Sequence, residues 1–336
     1  MRVAMIGTGY VGLVSGACFA DFGHVVTCVD KDASKIEKLE AGIMPIYEPG
    51  LDSLVEKNVK EERLFFTTEA RDAIRNADAV FIAVGTPSRR GDGHADLSYV
   101  YAAAEEIAEL MDGFTVIVTK STVPVGTGDE VEEIIRKKRP DGDFAVVSNP
   151  EFLREGAAIK DFKIPDRVVV GTDDERARDV MKELYRPLFL NETPILFTER
   201  RTSELIKYAA NAFLAVKITF INEMADLCEK VGANVQEVSR GIGLDGRIEV
   251  TGIRGPGQLG ESLDFHVEIG VVIIGRGNVI DQLFPDPCRK IEPEMPARLQ
   301  RGGHPRSHHE MTALFLANFI KHGTDTLHKI GHHRML

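Results

Sequence analysis

Cysteines and long apolar runs are scarce in this sequence. Its four cysteines, Cys18, Cys28, Cys228 and Cys288, lack the spacing of a metal-binding motif and are too few for a disulfide scaffold, which favours a reducing compartment. We expect the first three to be buried apolar side chains. No segment reaches the roughly 20 consecutive apolar residues that span a bilayer, so a membrane-spanning protein is not expected.

A basic cluster and a signal-peptide pattern are also missing. The formal net charge is −11, which argues against nucleic acid or an anionic membrane as a partner. The chain starts directly with an apolar strand, so we expect a cytoplasmic protein. Its 336 residues, 43% of them hydrophobic, give room for roughly two domains with buried cores.

A glycine motif follows the first strand. Apolar residues 3–6 lead into Gly7, Gly9 and Gly12, in the pattern G-x-G-x-x-G, and a helix is predicted over residues 11–22. The first glycine permits a tight turn, the second lets the backbone approach a pyrophosphate, and the third allows the helix to pack closely on the strand. This order of elements is typical of a dinucleotide site.

An acid at the end of the second strand indicates which dinucleotide binds. Asp30 follows the apolar run over residues 25–29, and its carboxylate can accept hydrogen bonds from both ribose hydroxyls of NAD. A 2′-phosphate would meet like charge there, so we predict NAD as the cofactor and not NADP. The alternative is a doubly wound domain whose turn binds nothing.

Apolar runs alternate with helical patterns through the first 200 residues. Four further strands are predicted over residues 79–84, 115–118, 144–147 and 168–170, and helices over residues 97–111, 130–138 and 175–185. This alternation predicts an α/β fold of the Rossmann type, a doubly wound parallel sheet covered by helices on both faces. The loops over residues 85–87, 121–126 and 148–156 then lie at the carboxyl edge of the sheet, where ligands bind in this architecture.

A long connecting helix is predicted over residues 202–231, because apolar residues recur there at helical spacing with few breakers. Such a helix needs cover from another domain or subunit, and we expect a homodimer. Lys207 and Asn211 stand one turn apart on this helix and share a face. They could stabilise an oxyanion, or a neutral lysine could accept an alcohol proton. The alternative is a solvated lysine beside a polar helix residue.

Three more polar residues follow predicted strands. Glu151 and Glu155 are four residues apart and would share a face if the chain turns helical after Pro150. They could position a water or a sugar hydroxyl, although two surface acids at the start of a helix would give the same pattern. Thr122 could hold the same water or contact the cofactor.

Four motifs carry a resemblance to a known family. Residues 7–12, 120–126, 148–156 and 204–215 resemble the UDP-glucose/GDP-mannose dehydrogenase family, and the resemblance is near-continuous from residue 1 to residue 248. Residues 164–168 look more like the UDP-glucose branch than the GDP-mannose branch. The resemblance implies oxidation of the sugar C6 alcohol to an acid with two NAD, through an aldehyde captured by a cysteine and a thioester that water hydrolyses.

The resemblance also implies roles for individual residues. The cofactor would contact the three glycines and Tyr10, Val11, Asp30, Lys35, Thr86, Thr122 and Glu155, with Asp30 and Lys35 at the adenosine ribose and Glu155 near the nicotinamide. The sugar nucleotide would contact Glu151, Phe152, Leu153, Arg154, Glu155, Lys207 and Asn211. Catalysis would involve Thr122, which helps to hold water, Glu151, and the oxyanion-stabilising Lys207 and Asn211. No metal is expected.

The chain departs from the family after residue 248. There the family continues with a glycine-rich loop ending in Gly-Gly-Ser-Cys-Phe-Pro-Lys-Asp, which supplies the thiol nucleophile. Residues 255–265 contain no cysteine, and Cys288 lies well downstream. Residues 249–336 also hold ten acidic and ten basic side chains and eight of the ten histidines, so their composition differs from that of the preceding chain.

These observations predict three regions. We expect an NAD-binding domain over residues 1–200, the long helix and the start of a dimerisation domain over residues 201–248, and an atypical, poorly folded tail over residues 249–336, as a shifted reading frame would produce. Two alternatives to a UDP-glucose dehydrogenase stay open. One is a two-electron dehydrogenase of the β-hydroxyacid type, and the other is a non-catalytic NAD-binding partner that dimerises with an intact homologue.

Overall fold

The structure is a computed structural model that describes residues 1–89 and 94–245. The predictions about residues 249–336 concern a segment that lies outside the described residues. Residues Met1–Asn211 belong to one compact unit, and the described residues from Ala212 onward belong to a second. Every predicted site residue therefore lies in the first unit.

The first unit contains an eight-stranded sheet with the order β3-β2-β1-β4-β5-β6-β7-β8. The strands are β1 Arg2–Ile6, β2 Val25–Val29, β3 Leu64–Thr67, β4 Ala79–Ile82, β5 Thr115–Thr119, β6 Phe144–Ser148, β7 Val168–Gly171 and β8 Ile195–Thr198. The six strands from β3 to β6 are parallel, which confirms the predicted doubly wound sheet over that part. β7 pairs antiparallel with β6, through Ser148 and Gly171, and β8 runs parallel to β7.

Helices connect the strands and flank the sheet. They are α1 Tyr10–Asp21, α2 Ala33–Glu40, α3 Leu51–Lys60, α4 Ala70–Arg75, α5 Ser98–Leu110, α6 Thr127–Lys138, α7 Ala158–Lys163, α8 Glu175–Leu184, α9 Arg200–Val231 and α10 Val235–Gly243, with a 3₁₀ helix at Arg186–Asn191. The five predicted helices are confirmed, with ends that differ by no more than three residues. α9 begins in the first unit and ends in the second, which also contains α10.

The sheet is buried on both faces. Val3 and Met5 of β1 belong to one apolar cluster, and Ala4 and Ile6 belong to another. Because successive side chains of a strand point to opposite faces, the two clusters lie on opposite sides of the sheet. Burial on both faces explains why the parallel strands appear in the sequence as continuous apolar runs and not as alternating patterns.

An aromatic cluster joins α1 to the elements that follow it. The fully buried ring of Phe19 lies 5.1 Å from the ring of Phe81 on β4, 5.0 Å from Phe162 on α7 and 5.3 Å from Tyr185 after α8, measured between ring centroids. Tilted and edge-to-face pairs at such distances add to the stabilisation that burial gives. The cluster thereby fixes α7, and the loop that precedes it, against the first helix.

The described cysteines are confined to apolar surroundings. Cys18, Cys28 and Cys228 are free and buried, which confirms their predicted role. Burial raises the pKa of Cys18 and of Cys28 to about 12, so both stay protonated thiols at neutral pH. None of the described helices, α9 included, combines the length and apolar character needed to cross a membrane.

One carboxylate links three helices. Asp21, the last residue of α1, accepts hydrogen bonds from Lys57 of α3 at 2.8 Å and from Lys163 of α7 at 2.7 Å. Its side chain is 14% exposed. Burial acts to raise the pKa of Asp21, but the two lysines outweigh burial and lower the pKa to about 2.

We expect Asp21→Asn to lower the free energy of unfolding at pH 7 by about 1–2 kcal/mol. Because the folded-state pKa is depressed, the stabilisation is fully present above the unfolded-state value of 3.8 and declines as the pH falls toward about 2. Urea unfolding between pH 3 and pH 7 measures this, with the exposed carboxylate variant Asp179→Asn as the control. A difference between wild type and Asp21→Asn that does not shrink with falling pH would contradict the assignment.

Candidate functional site

The glycine turn between β1 and α1 is closely packed at two positions and open at a third. Gly7 has a φ of +105°, and its N–H donates to Val29 O at 2.7 Å. A Cβ at Gly7 would lie 2.6 Å from Ala83 O, and a Cβ at Gly12 would lie 2.0 Å from Gly7 O. A Cβ at Gly9 would meet nothing within 4 Å. The first and third glycines are therefore required by the fold, whereas the second leaves space in front of the turn.

The first turn of α1 suits an anion. Gly9 is the N-cap and provides no side-chain cap, and the turn contains no acidic residue. Tyr10 and Val11, both half-buried, are the first two residues of the helix. Uncapped N–H groups at the positive end of a helix dipole, next to open space, fit the pyrophosphate of a dinucleotide.

The Asp30 carboxylate lies at the end of β2 and is held by its neighbours. Its Oδ2 accepts hydrogen bonds from Thr8 N at 3.0 Å and Thr8 Oγ at 2.6 Å, and its Oδ1 accepts from Asp32 N at 3.0 Å. Lys35 Nζ lies 3.4 Å from Oδ2. Burial acts to raise the pKa of Asp30, but these hydrogen bonds and the lysine charge outweigh it and lower the pKa. The residue is an ionised acceptor beside the glycine turn.

Two loops at the same edge of the sheet are bound to each other. Thr86, after β4, donates its hydroxyl to Thr122 O after β5 at 2.9 Å. Ser121 Oγ donates to Val84 O at 2.7 Å. The structure therefore brings together Thr86 and Thr122, two of the residues assigned to the cofactor from sequence.

The Glu151 carboxylate and the Lys207 ammonium form a partly buried ion pair. Their Oε1 and Nζ atoms are 3.0 Å apart, and their side chains are 11% and 9% exposed. Glu151 Oε2 also accepts from Leu153 N at 2.5 Å. The pair joins the loop after β6 to α9 and places a cation and a carboxylate at one point of the carboxyl edge.

The loop after Pro150 is not helical, so Glu151 and Glu155 do not share a helix face as the conditional prediction required. Residues 151–154 have no regular structure, and α7 begins at Ala158. The backbone N–H of Leu153 folds back onto the Glu151 carboxylate, and this contact replaces a helical turn. Glu155 is exposed, whereas Glu151 faces α9.

Phe152 provides an aromatic face for two cations. The Arg167 guanidinium lies 3.7 Å from the centre of its ring, and Lys207 Nζ lies 5.3 Å from it. Cation–π contacts in this range restrain both the ring and the cations.

Three other predicted substrate residues have different surroundings. Arg154 forms an ion pair with Asp161 of α7 at 2.6 Å, so its side chain is directed to that helix. Leu153 packs against the apolar core, and half-buried Asn211 follows Lys207 by one turn of α9.

Glu204 fixes α9 to the sheet and was not predicted as a site residue. Its buried carboxylate accepts hydrogen bonds from Gly126 N at 2.6 Å, Gly128 N at 2.8 Å and Ser148 Oγ at 2.9 Å. Burial raises the pKa of Glu204 despite these donors. Two sequence signals could have identified Glu204: it stands three positions before Lys207 on the helix, and it is the first residue of the motif over residues 204–215.

Lys120 is a second residue that the sequence analysis missed. It is buried directly after β5, with Nζ 3.3 Å from both Asn149 Oδ1 and Tyr185 OH. Burial lowers the pKa of Lys120 to about 8, the charge of Lys207 acts in the same direction, and Glu151 opposes both. The sequence feature that could have identified Lys120 is its position directly after an apolar strand. Its cation interacts electrostatically with both Glu151 and Lys207 and adds positive charge to this end of the sheet.

The chain is similar to known proteins over about three quarters of its length. Residues 1–189 match the NAD binding domain of the UDP-glucose/GDP-mannose dehydrogenase family, and residues 201–267 match the central domain of the same family. A UDP-glucose 6-dehydrogenase of Rhizobium meliloti is 72% identical over 250 residues, which are 74% of this chain and 57% of the relative. The chain thus spans little more than half the length of this relative.

Two solved structures extend the similarity to the fold. A UDP-glucose dehydrogenase from Pyrobaculum islandicum has a TM-score of 0.70 at 42% identity, over 74% of this chain and 57% of the other. A GDP-mannose dehydrogenase from Pseudomonas aeruginosa, solved as a ternary complex, has a TM-score of 0.69 at 37% identity, over 72% and 56%. Both enzymes are similar to the described part of the chain.

The two glycines provide a test of the turn. We expect Gly9→Ala to change the free energy of unfolding by less than about 0.5 kcal/mol, because its Cβ meets open space, and to weaken NAD binding at least tenfold. Gly12→Ala should lower stability by about 1–3 kcal/mol, because its Cβ collides with a backbone carbonyl. Thermal unfolding and calorimetric titration with NAD measure the two effects. Unchanged NAD affinity in Gly9→Ala would show that the ligand does not use this opening.

Proposed function

Because the chain belongs to the UDP-glucose/GDP-mannose dehydrogenase family, we propose that it binds NAD at the glycine turn and acts on UDP-glucose at C6. The observation that carries the proposal is the Glu151–Lys207 pair, which lies at the sheet edge that also bears the turn and Asp30. The residues of the glycine turn and Asp30 would hold NAD, which would supply the hydride acceptor for this oxidation. The protein supplies orientation, charge and proton acceptors at C6.

The cofactor residues divide between the two ends of the dinucleotide. Asp30 and Lys35 hold the adenosine ribose, and the turn with Tyr10 and Val11 holds the pyrophosphate. Thr86 and Thr122 line the nicotinamide side, where Glu155 also approaches. The mutual hydrogen bond between the loops of Thr86 and Thr122 supports this placement, since it fixes both loops before a ligand arrives.

The substrate residues supply charge, hydrogen-bond donors and contact surface. The Lys207 ammonium, which the carboxylate of Glu151 holds in place, stabilises the oxyanion that develops as the alcohol becomes an aldehyde. Asn211 adds a carboxamide donor from the same face of α9. Phe152 and Leu153 contact the sugar nucleotide, together with the loop that carries Arg154 and Glu155. Thr122 holds the water that a hydrolytic step requires.

The oligomeric state and the compartment are further proposals. Several apolar side chains of α9 in the second unit are exposed, namely Phe213, Leu214, Val216, Phe220, Leu227 and Val231. Burial of this much apolar surface stabilises an association, and we propose a homodimer formed through α9. Free buried thiols and use of NAD support a cytoplasmic location.

Cofactor selection is the first test. We expect calorimetry to show binding of NAD and much weaker binding of NADP, and we expect Asp30→Ala to weaken NAD binding by about 1–3 kcal/mol, since the ribose hydroxyls lose their acceptor. Glu37→Ala, an exposed substitution on α2, is the matched control. Equal affinity of the wild type for NAD and NADP would overturn the assignment of Asp30.

The complete reaction is the second test. We propose that oxidation of UDP-glucose to UDP-glucuronate is absent or strongly reduced, because residues 255–265 contain no cysteine to capture the aldehyde. The assay measures NADH per UDP-glucose in a protein already shown to bind NAD. Two equivalents of NADH at an ordinary enzymatic rate would contradict this, and loss of that activity in Cys288→Ser would identify Cys288 as the nucleophile. NAD binding without turnover would favour a non-catalytic partner of an intact homologue.

A further inference from the structure

A buried carboxylate lies between the glycine turn and the loop after β6. Glu48, in the segment between α2 and α3, is only 6% exposed. Its Oε1 accepts hydrogen bonds from Ala158 N at 2.8 Å and Ile159 N at 3.4 Å, and its Oε2 accepts from Gly156 N at 2.8 Å. Both carboxylate oxygens are therefore used to hold the end of the loop and the first turn of α7.

The hydroxyl of Tyr10 also contacts Glu48 and the end of the loop. It donates to Glu48 Oε2 in a short hydrogen bond, it lies 3.4 Å from Arg154 O, and it accepts from Gly156 N at 3.2 Å. Burial raises the pKa of this phenol, and the neighbouring Glu48 carboxylate raises it further, so the hydroxyl keeps its proton. Tyr10 is also the first residue of α1, directly after the Gly9 N-cap. Tyr10 therefore belongs to the turn through its backbone and contacts the loop through its side chain.

The helix that follows the loop, α7, has no side-chain cap from its own N-cap residue. The residue before α7 is Ala157, which cannot cap a helix, and Gly156 has a φ of +82° that favours glycine. The donors at this point are satisfied by Glu48, more than 100 residues earlier in the chain. A cap supplied from a distant segment fixes the tertiary position of the loop and not only its local conformation.

We propose that Tyr10 and Glu48 are positioning residues that couple ligand binding at the glycine turn to the order of the loop that carries Glu151 and Glu155. The proposal rests on the proposed binding of NAD at that turn. A phosphate bound to the N–H groups of the first turn of α1 restrains Tyr10, and its hydroxyl transmits the restraint to Gly156 and to Glu48. The hydrogen bonds of Tyr10 and Glu48 already hold the loop after β6 in the free protein, and the bound cofactor makes their opening rarer.

Amide hydrogen exchange on the full chain, with and without NAD, tests the coupling. In the wild type we expect NAD to slow exchange about tenfold at Gly156, Ala158 and Ile159, as well as at the glycine turn. Tyr10→Phe removes the hydroxyl but keeps the backbone N–H groups that would contact the pyrophosphate. NAD should therefore still slow exchange at the turn, whereas its effect on the loop should fall below about twofold. Tyr47→Phe, which alters a neighbouring tyrosine that is 85% exposed, is the control and should behave like the wild type.

Glu48→Gln provides a second, independent variant, with the exposed Glu56→Gln as its control. It should lose the NAD effect on the loop as Tyr10→Phe does, because a carboxamide cannot accept from all the donors that meet there. If Glu48→Gln fails to fold, Tyr10→Phe alone tests the coupling, since this substitution removes only a hydroxyl. If NAD still slows exchange at the loop of Tyr10→Phe as it does in the wild type, the coupling is overturned, but the proposal that NAD binds at the turn is not. Calorimetry that detects no NAD binding to the wild type overturns the proposed function together with the coupling.

Discussion

The buried carboxylate of Glu204, near the start of the long helix α9, accepts three hydrogen bonds from the edge of the sheet. Its donors are the backbone of Gly126 and Gly128 and the hydroxyl of Ser148, and buried donors left unpaired would cost about 1–3 kcal/mol each. Since Lys207 follows by one helical turn, the contact that satisfies these donors also brings the lysine to Glu151. The Glu151–Lys207 pair is therefore a consequence of how the start of α9 packs against the edge of the sheet.

Most of the fold could be predicted because its central strands are buried on both faces. β4 and β5 appear as unbroken apolar runs, and their order with the intervening helices permits few topologies. The direction of β7 and β8 could not be predicted, since a buried strand has the same composition whichever way it runs. β3 and β8 were missed although residues 64–66 and 195–197 are apolar, because each run is only three residues long and each strand is only partly buried.

The sequence analysis named residues of the candidate site where they lie close together in the chain. The glycine turn is a local motif with a physical reason for each glycine, and Lys207 and Asn211 are one helical turn apart. Glu48 and Glu204 were not found this way, because their hydrogen-bond partners lie 108 and 78 residues away in the chain. Buried carboxylates that satisfy distant backbone donors leave almost no local signal, so this part of the site becomes visible only in three dimensions.

The surroundings of Asp30 have a consequence for the entropy of ligand binding. Thr8 and the backbone of Asp32 already restrict this side chain to one orientation in the free protein. A side chain that is mobile before association loses rotamer freedom when a ligand orders it, at a cost of about 0.5–1.5 kcal/mol for the most flexible ones. Here that loss has occurred during folding. The carboxylate is a preorganised template, and a ribose that reaches it must adapt its own hydroxyls to a fixed acceptor.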